Sequence, residues 1–194
     1  MKKFFMSAAA LSLLLMSCSN DDSITTAKDM EKNHFGYTAK QQHSLLTVIT
    51  EVENGCKAIT EQGTALINAV ESKAFSTPAF IAIADESYTT PTLAELSNLE
   101  QSPQLQIMQM GYRTAVKEQL LLIAENKVTE SYTGNTLYSK DEQELLETCR
   151  IMDDNKSGNG HVRDAGIRTR MAFAYGYQKS KANAVLMTVL ANRK

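Results

Sequence analysis

The 194-residue chain has no tryptophan, only three prolines, three histidines and three cysteines, and its aromatic residues amount to 7%. Each shortage excludes something. His34, His43 and His161 stand far apart, with no ligand partners at metal-site spacing, so neither a metal nor a cofactor is expected. There is no Ser-His-Asp elbow, no phosphate-cradling glycine loop and no HExxH helix, which argues against an enzyme. Basic residues are not interleaved with aromatics as in a stacking platform, so nucleic acid is not an expected partner. No apolar run reaches the ~20 residues that a membrane-crossing helix needs. The longest, Phe4 to Met16, has thirteen, broken only by Ser7 and Ser12.

That run is the first positive signal. Met1-Lys2-Lys3 precedes it as a positive start, and Leu15-Met16-Ser17-Cys18 follows. A charged start, a short apolar core and a small residue before the break have the form of an export signal. The last four residues resemble the lipobox of bacterial lipoproteins: an aliphatic residue, a spacer, a small residue, then the cysteine that is modified. The resemblance implies that residues 1–17 are a signal peptide and that Cys18 becomes a lipidated N-terminus, anchored by several acyl chains. Ser19, rather than Asp, after the cysteine resembles lipoproteins sorted to the outer membrane, on its periplasmic or surface face. Ser19-Asn20-Asp21-Asp22 is polar and acidic, and residues 18–36 read as a tether without period.

Two cysteines then remain, Cys56 and Cys149. Outside the cytoplasm disulfides persist, so these two either pair, stapling an early helix to a late one, or stay as separate buried thiols.

Charge is unevenly placed. Losing Lys2 and Lys3 takes the formal charge from −2 to −4. Residues 19–149 hold 9 Lys/Arg against 19 Asp/Glu, net −10, and residues 150–194 hold 9 against 3, net +6. Either the two parts complement each other within one fold, or the C-terminal part offers a basic face to an acidic partner. Arg163 and Arg170, seven apart on one helix face with Arg168 to the side, are the candidate contact residues for the second reading.

Residues 37–194 read as one all-α domain, a helical bundle with a long N-terminal helix. Leu45, Ile49, Val52, Cys56, Ile59, Gly63, Leu66 and Val70 advance in steps of four and three, the stripe of a single helix packed on others from Tyr37 to about Ser72. Gly63 on that stripe permits close approach or a kink. Ser76-Thr77-Pro78 ends it and caps a short segment, 79–84. Thr90-Pro91 opens a short helix with Leu93, Leu96 and Leu99. Ser102-Pro103 opens a long one to about Glu130, with Leu105, Met108, Tyr112, Val116, Gln119 and Ile123 on one face. Gly134-Asn135 breaks the chain, and Ser139 with Glu142 forms a capping box ahead of Leu145, Leu146, Cys149 and Met152. A loop covers 154–160, and a final helix runs from His161 to about Ala191.

Asp153-Asp154-Asn155-Lys156-Ser157-Gly158 matches the opening of a calcium-binding EF-hand loop. The eighth place is Gly160 where an aliphatic residue belongs, the twelfth is Asp164 rather than Glu, and no second hand exists. A polar interhelical loop accounts for the same letters, and no calcium site is expected.

Gly111-Tyr112 within an amphipathic helix, Thr133-Gly134, and Ser139-Lys140-Asp141-Glu142 opening a helix resemble the TraI-type proteins of conjugative transposons, which are similar in kind to the TrbJ-like minor pilus components of type IV secretion systems. The resemblance spans about 104–194. It implies an exported, helical, non-enzymatic part of a conjugative transfer apparatus, with a protein partner in the cell envelope. The lipid anchor and the 154–160 loop depart from that pattern. A second class also suits a small acidic helical lipoprotein: an immunity or inhibitor protein that neutralises a toxin.

Overall fold

The computed structural model describes residues 45–152 and 162–193, with side chains in the second stretch from residue 166 onward. The described chain is all α-helical, without strands: α1 (45–55), α2 (Gly63–Ala74), α3 (Pro78–Ile81), α4 (Leu93–Asn98), α5 (Pro103–Gln109), α6 (Thr114–Ala124), α7 (Lys140–Ile151), α8 (Val162–Tyr177) and α9 (Lys181–Ala191). Among these residues no helix is long and apolar enough to cross a membrane.

The last helix is the centre of the fold. Every residue of α9 from Ala182 to Ala191 is buried. Its sequence, Ala-Asn-Ala-Val-Leu-Met-Thr-Val-Leu-Ala, has no polar face to give to water, so it is surrounded rather than laid on the surface. Its two buried polar side chains are satisfied. Thr188 Oγ1 donates to Ala184 O at 2.7 Å. Asn183 accepts from Thr89 N–H at 3.2 Å and donates to Thr89 O at 2.7 Å, clamping the 85–92 link to the helix start. Helices α8, α2 and α4 all pack on α9, α6 and α7 pack on α8, and α7 also meets the start of α9 through the Lys181–Glu144 pair.

The heptad stripe locates the buried face of the first segment correctly but not its continuity. Leu45, Ile49, Val52, Cys56, Leu66 and Val70 are all buried. The single long N-terminal helix is nevertheless two helices, because the chain turns through 56–62 and re-enters at Gly63 with φ +60°. That left-handed conformation suits glycine and few other residues. The exposed Gly63 makes the kink, not a close approach.

The long helix expected over 103–130 divides in the same way. Met110 is extended (ψ 147°), Gly111 N–H donates to Gln178 Oε1 at 2.6 Å, and the Tyr112 hydroxyl donates to Ala174 O at 2.8 Å. Those tertiary bonds hold α5 and α6 apart. The break also rotates α5, so Leu105 and Met108 face solvent while Gln106, Ile107 and Met110 are buried.

A third division falls at 178–180, where one helix to Ala191 was expected. Ser180 Oγ accepts from Asn183 N–H at 3.0 Å and starts α9 afresh. The capping boxes among the described residues are Thr92 with Glu95, two residues past the expected cap at Thr90, and Ser139 with Glu142 as expected.

Candidate functional site

The residues that the sequence singles out do not converge. Cys18, the 154–160 loop and the EF-hand-like segment from Asp153 lie outside the described residues, as does the Arg163 side chain. Cys56 and Cys149 are free, buried thiols, and no disulfide joins them. Their surroundings differ: Cys56 neighbours Arg193 and Lys73, whereas Cys149 Sγ donates weakly to Arg170 O at 3.7 Å. Burial pushes the Cys149 thiol up to about 12, leaving it inert as a nucleophile.

Arg170 overturns its expected role. It is 1% exposed, and its Nη1 donates to Ile123 O at 2.7 Å and Asn126 Oδ1 at 2.8 Å. A side chain with no surface cannot form a contact face. The seven-residue spacing from Arg163 identifies a shared helix face, but that face at Arg170 is turned into the core.

The charge asymmetry is offset inside the fold at some positions. Lys179 pairs with Glu95, and Lys181 Nζ lies 2.6 Å from a Glu144 oxygen that also accepts from the Tyr177 hydroxyl at 2.7 Å. Arg193 donates to Ile59 O at 3.4 Å, and Asn192 reaches Glu53. Lys179 and Lys181 of the basic C-terminal segment are thus matched by acidic positions earlier in the chain, in the sense of the first of the two readings of that asymmetry.

Arg113 carries the tie between α6 and α7. Its Nε and Nη2 meet the two Glu142 oxygens at 2.6 and 2.8 Å, and Nη2 also donates to Leu137 O at 2.6 Å. The guanidinium lies 5.3 Å from the centre of the Tyr138 ring. The guanidinium bonds hold the Glu142 carboxyl down to about 2, with the Ser139 N–H adding to the effect and partial burial opposing it. A carboxylate whose pKa is lowered by folding stabilises the fold above its unfolded value near 4.5, and that contribution is lost as pH falls towards 2. Glu142→Gln should therefore lower the denaturation midpoint at pH 6, with the gap to the parent protein closing between pH 4.5 and 2. A gap that stays constant over that range would show that the ion pair does not set the effect.

An open groove of about 480 Å³ lies between the link from α4 to α5 and helix α8, in the volume range of small-ligand sites. Leu99, Ala124, Ile167 and Met171 supply apolar wall, and Gln101, Gln106 and Arg168 supply polar groups. Gln106 is 5% exposed. Its Nε2 donates to Leu99 O at 3.2 Å and Gln101 O at 2.6 Å. Two carbonyls fix which end of this amide is nitrogen, because an oxygen placed there would meet only acceptors. Gln106 Oε1 is left without a hydrogen bond, and so is the buried Gln101 Oε1. Sequence patterns gave no sign of this site: its glutamines belong to no motif, and Arg168 stood beside the face that drew attention.

No family model, curated protein sequence or solved structure matches this chain.

Proposed function

We propose that the chain is a lipid-anchored, non-enzymatic binding protein of the bacterial outer membrane, with Cys18 as its lipidated residue. The observation that carries this reading is Leu15-Met16-Ser17-Cys18 behind a charged start and a thirteen-residue apolar core. Several features must coincide there, and they do.

The finer reading is a component of a conjugative transfer apparatus with a protein partner in the envelope. It rests on the resemblance over 104–194. Gly134 turns the chain at φ +78°, and Ser139–Glu142 caps α7. Gly111-Tyr112 instead lies between two helices.

One experiment with two arms tests both levels. Cys18→Ala should abolish labelling by a palmitate analogue and release the protein from membranes, because stable attachment needs more than one chain. Full labelling of the variant would overturn the lipoprotein reading. Deleting the gene from a donor strain should lower mating frequency, with restoration in trans. Normal mating would discard conjugation and leave the immunity reading, for which the deletion strain should be killed by a toxin released from its siblings.

A further inference from the structure

We propose that the turn from α2 into α3, residues 73–84, is the face by which the anchored domain rests on its own membrane, an assignment that rests on the lipoprotein reading. Phe75 and Ile81 enter the boundary between headgroups and acyl chains.

Those two side chains are 42% and 53% exposed. They share one surface, because the Phe75 ring packs edge-on against Phe80, the neighbour of Ile81, with centroids 5.2 Å apart. It also meets Tyr88 at 5.3 Å. Phe80 itself is buried, so the exposed pair stands on a packed base. Pro78 and Ala82 are exposed beside them. A group of apolar side chains on one face marks a place that another surface covers.

Hydrogen bonding suits this face to lipid. The N–H groups of Phe75, Ser76 and Thr77, and every N–H from Phe80 to Ala84, bond to carbonyls within 71–81. Both hydroxyls are used as well: Ser76 Oγ and Thr77 Oγ1 donate to Lys73 O at 2.7 and 3.1 Å. No charged residue falls between Lys73 and Asp85. The turn can therefore leave water with few donors stripped of a partner, as lipid requires of a backbone. Leu105 and Met108, an exposed apolar pair on α5, lack this advantage. Exposed Gln104 and Gln109 flank them, and those amides would be desolvated too.

Charge at the rim fits a shallow contact. Lys73 is exposed and forms no ion pair among the described residues. A lysine at that place can hold its ammonium at headgroup phosphates while its methylene stem follows the apolar side chains. Asp85 and Glu86, both exposed, come directly after the segment and stay in water.

The anchor names the occupant. Residues 19–44, 26 in all, separate Cys18 from Leu45, and a chain of that length spans at most ~90 Å. A domain of this size has a radius of gyration of about 15 Å. Every face of it is thus within reach of the bilayer that holds Cys18, and attachment keeps that bilayer at high effective concentration. A patch too small to recruit the free protein is then enough to orient the anchored one.

The chain has no tryptophan, so Phe75→Trp and Ile81→Trp each introduce a single fluorescent reporter. Leu137→Trp is the control, at a residue 73% exposed on the link from α6 to α7. The full-length lipidated protein is reconstituted into vesicles of phosphatidylethanolamine and phosphatidylglycerol, with and without bromine at the middle of the acyl chains. Brominated lipid should quench Phe75→Trp and Ile81→Trp, and Leu137→Trp should keep its emission. Adding Phe75→Asp to Ile81→Trp should lower the ratio of docked to undocked protein about tenfold and remove the quenching, since a large apolar group gives way to a charge. Ile81→Ser, at the more exposed of the two positions, should do the same to Phe75→Trp with less effect on folding. Quenching of all three tryptophans alike, or of none, would overturn the proposal. So would a blue shift that brominated lipid does not quench, because protein rather than lipid would then cover the face. Palmitate labelling of the same preparation keeps the two readings apart. Protein without lipid at Cys18 sinks both, whereas lipidated protein with unquenched Phe75→Trp sinks the docking face alone.

Discussion

Gly176→Ala should destabilise the domain by about 3 kcal/mol, the upper part of the range for overpacking a close contact. A Cβ at Gly176 would lie 2.5 Å from Asn183 O, 2.6 Å from Asn183 C and 2.7 Å from Ala184 Cα. All three are backbone atoms of the first turns of α9, and none can swing aside as a side chain would. Intrinsic propensity pulls the other way, since alanine is favoured over glycine inside a helix by about 1 kcal/mol. The steric term wins because relieving it means sliding α9 along α8. That slide would strain the Asn183 clamp on Thr89 and the Lys179–Glu95 and Lys181–Glu144 pairs. The melting temperature should fall by roughly 6–12 °C, taking 2–4 °C per kcal/mol for a domain of this size. Gly55→Ala is the control: nothing lies within 4 Å of its Cβ position, and its melting temperature should hardly move. Equal melting of the two variants would mean that α8 and α9 do not approach so closely.

The helical class and many buried positions were legible because hydrophobic period survives tertiary context. The 45–70 stripe names residues that are buried on two separate helices, since the 56–62 turn preserves the count that brings Leu66 and Val70 back to the core. Capping signals were equally plain where the chemistry is local, as at Ser102 and Ser139. The breaks at 110–113 and 178–180 were not legible, for one shared reason. Neither contains proline, and each is fixed by bonds to distant residues: Gly111 N–H to Gln178 and Tyr112 to Ala174 at the first, and, beside the local Ser180 cap, Asn183 to Thr89 just after the second. Local propensity does not encode such partners. The groove was hidden for the same reason, because an unsatisfied glutamine oxygen exists only once Leu99 O and Gln101 O have claimed the nitrogen.

Arg170 shows most sharply how a surface reading and a core reading of one residue diverge in the laboratory. Arg163, Arg168 and Arg170 look alike in sequence, yet Arg168 is exposed and Arg170 is 1% exposed. The Arg170 guanidinium closes the end of α6: it donates to Ile123 O and fixes the side chain of Asn126, whose φ of +54° turns the chain out of the helix. Arg170→Glu should therefore cost about 3–5 kcal/mol, the range for leaving an uncompensated charge inside a protein. Arg168→Glu should stay within ~0.5 kcal/mol. Arg170→Met, close in length and without charge, should fall between them, since it keeps the packing and Ile123 O keeps its bond from Asn126 N–H at 3.0 Å. Thermal denaturation of the three variants gives the order directly. In cells, loss of stability on the Arg170→Glu scale lowers abundance several-fold, so any functional defect of that variant should track its abundance. Arg168→Glu should instead stay abundant. Should Arg170→Glu melt like the parent protein and remain abundant, its guanidinium would have to lie at the surface, and the packing of α8 on α6 described above would be wrong.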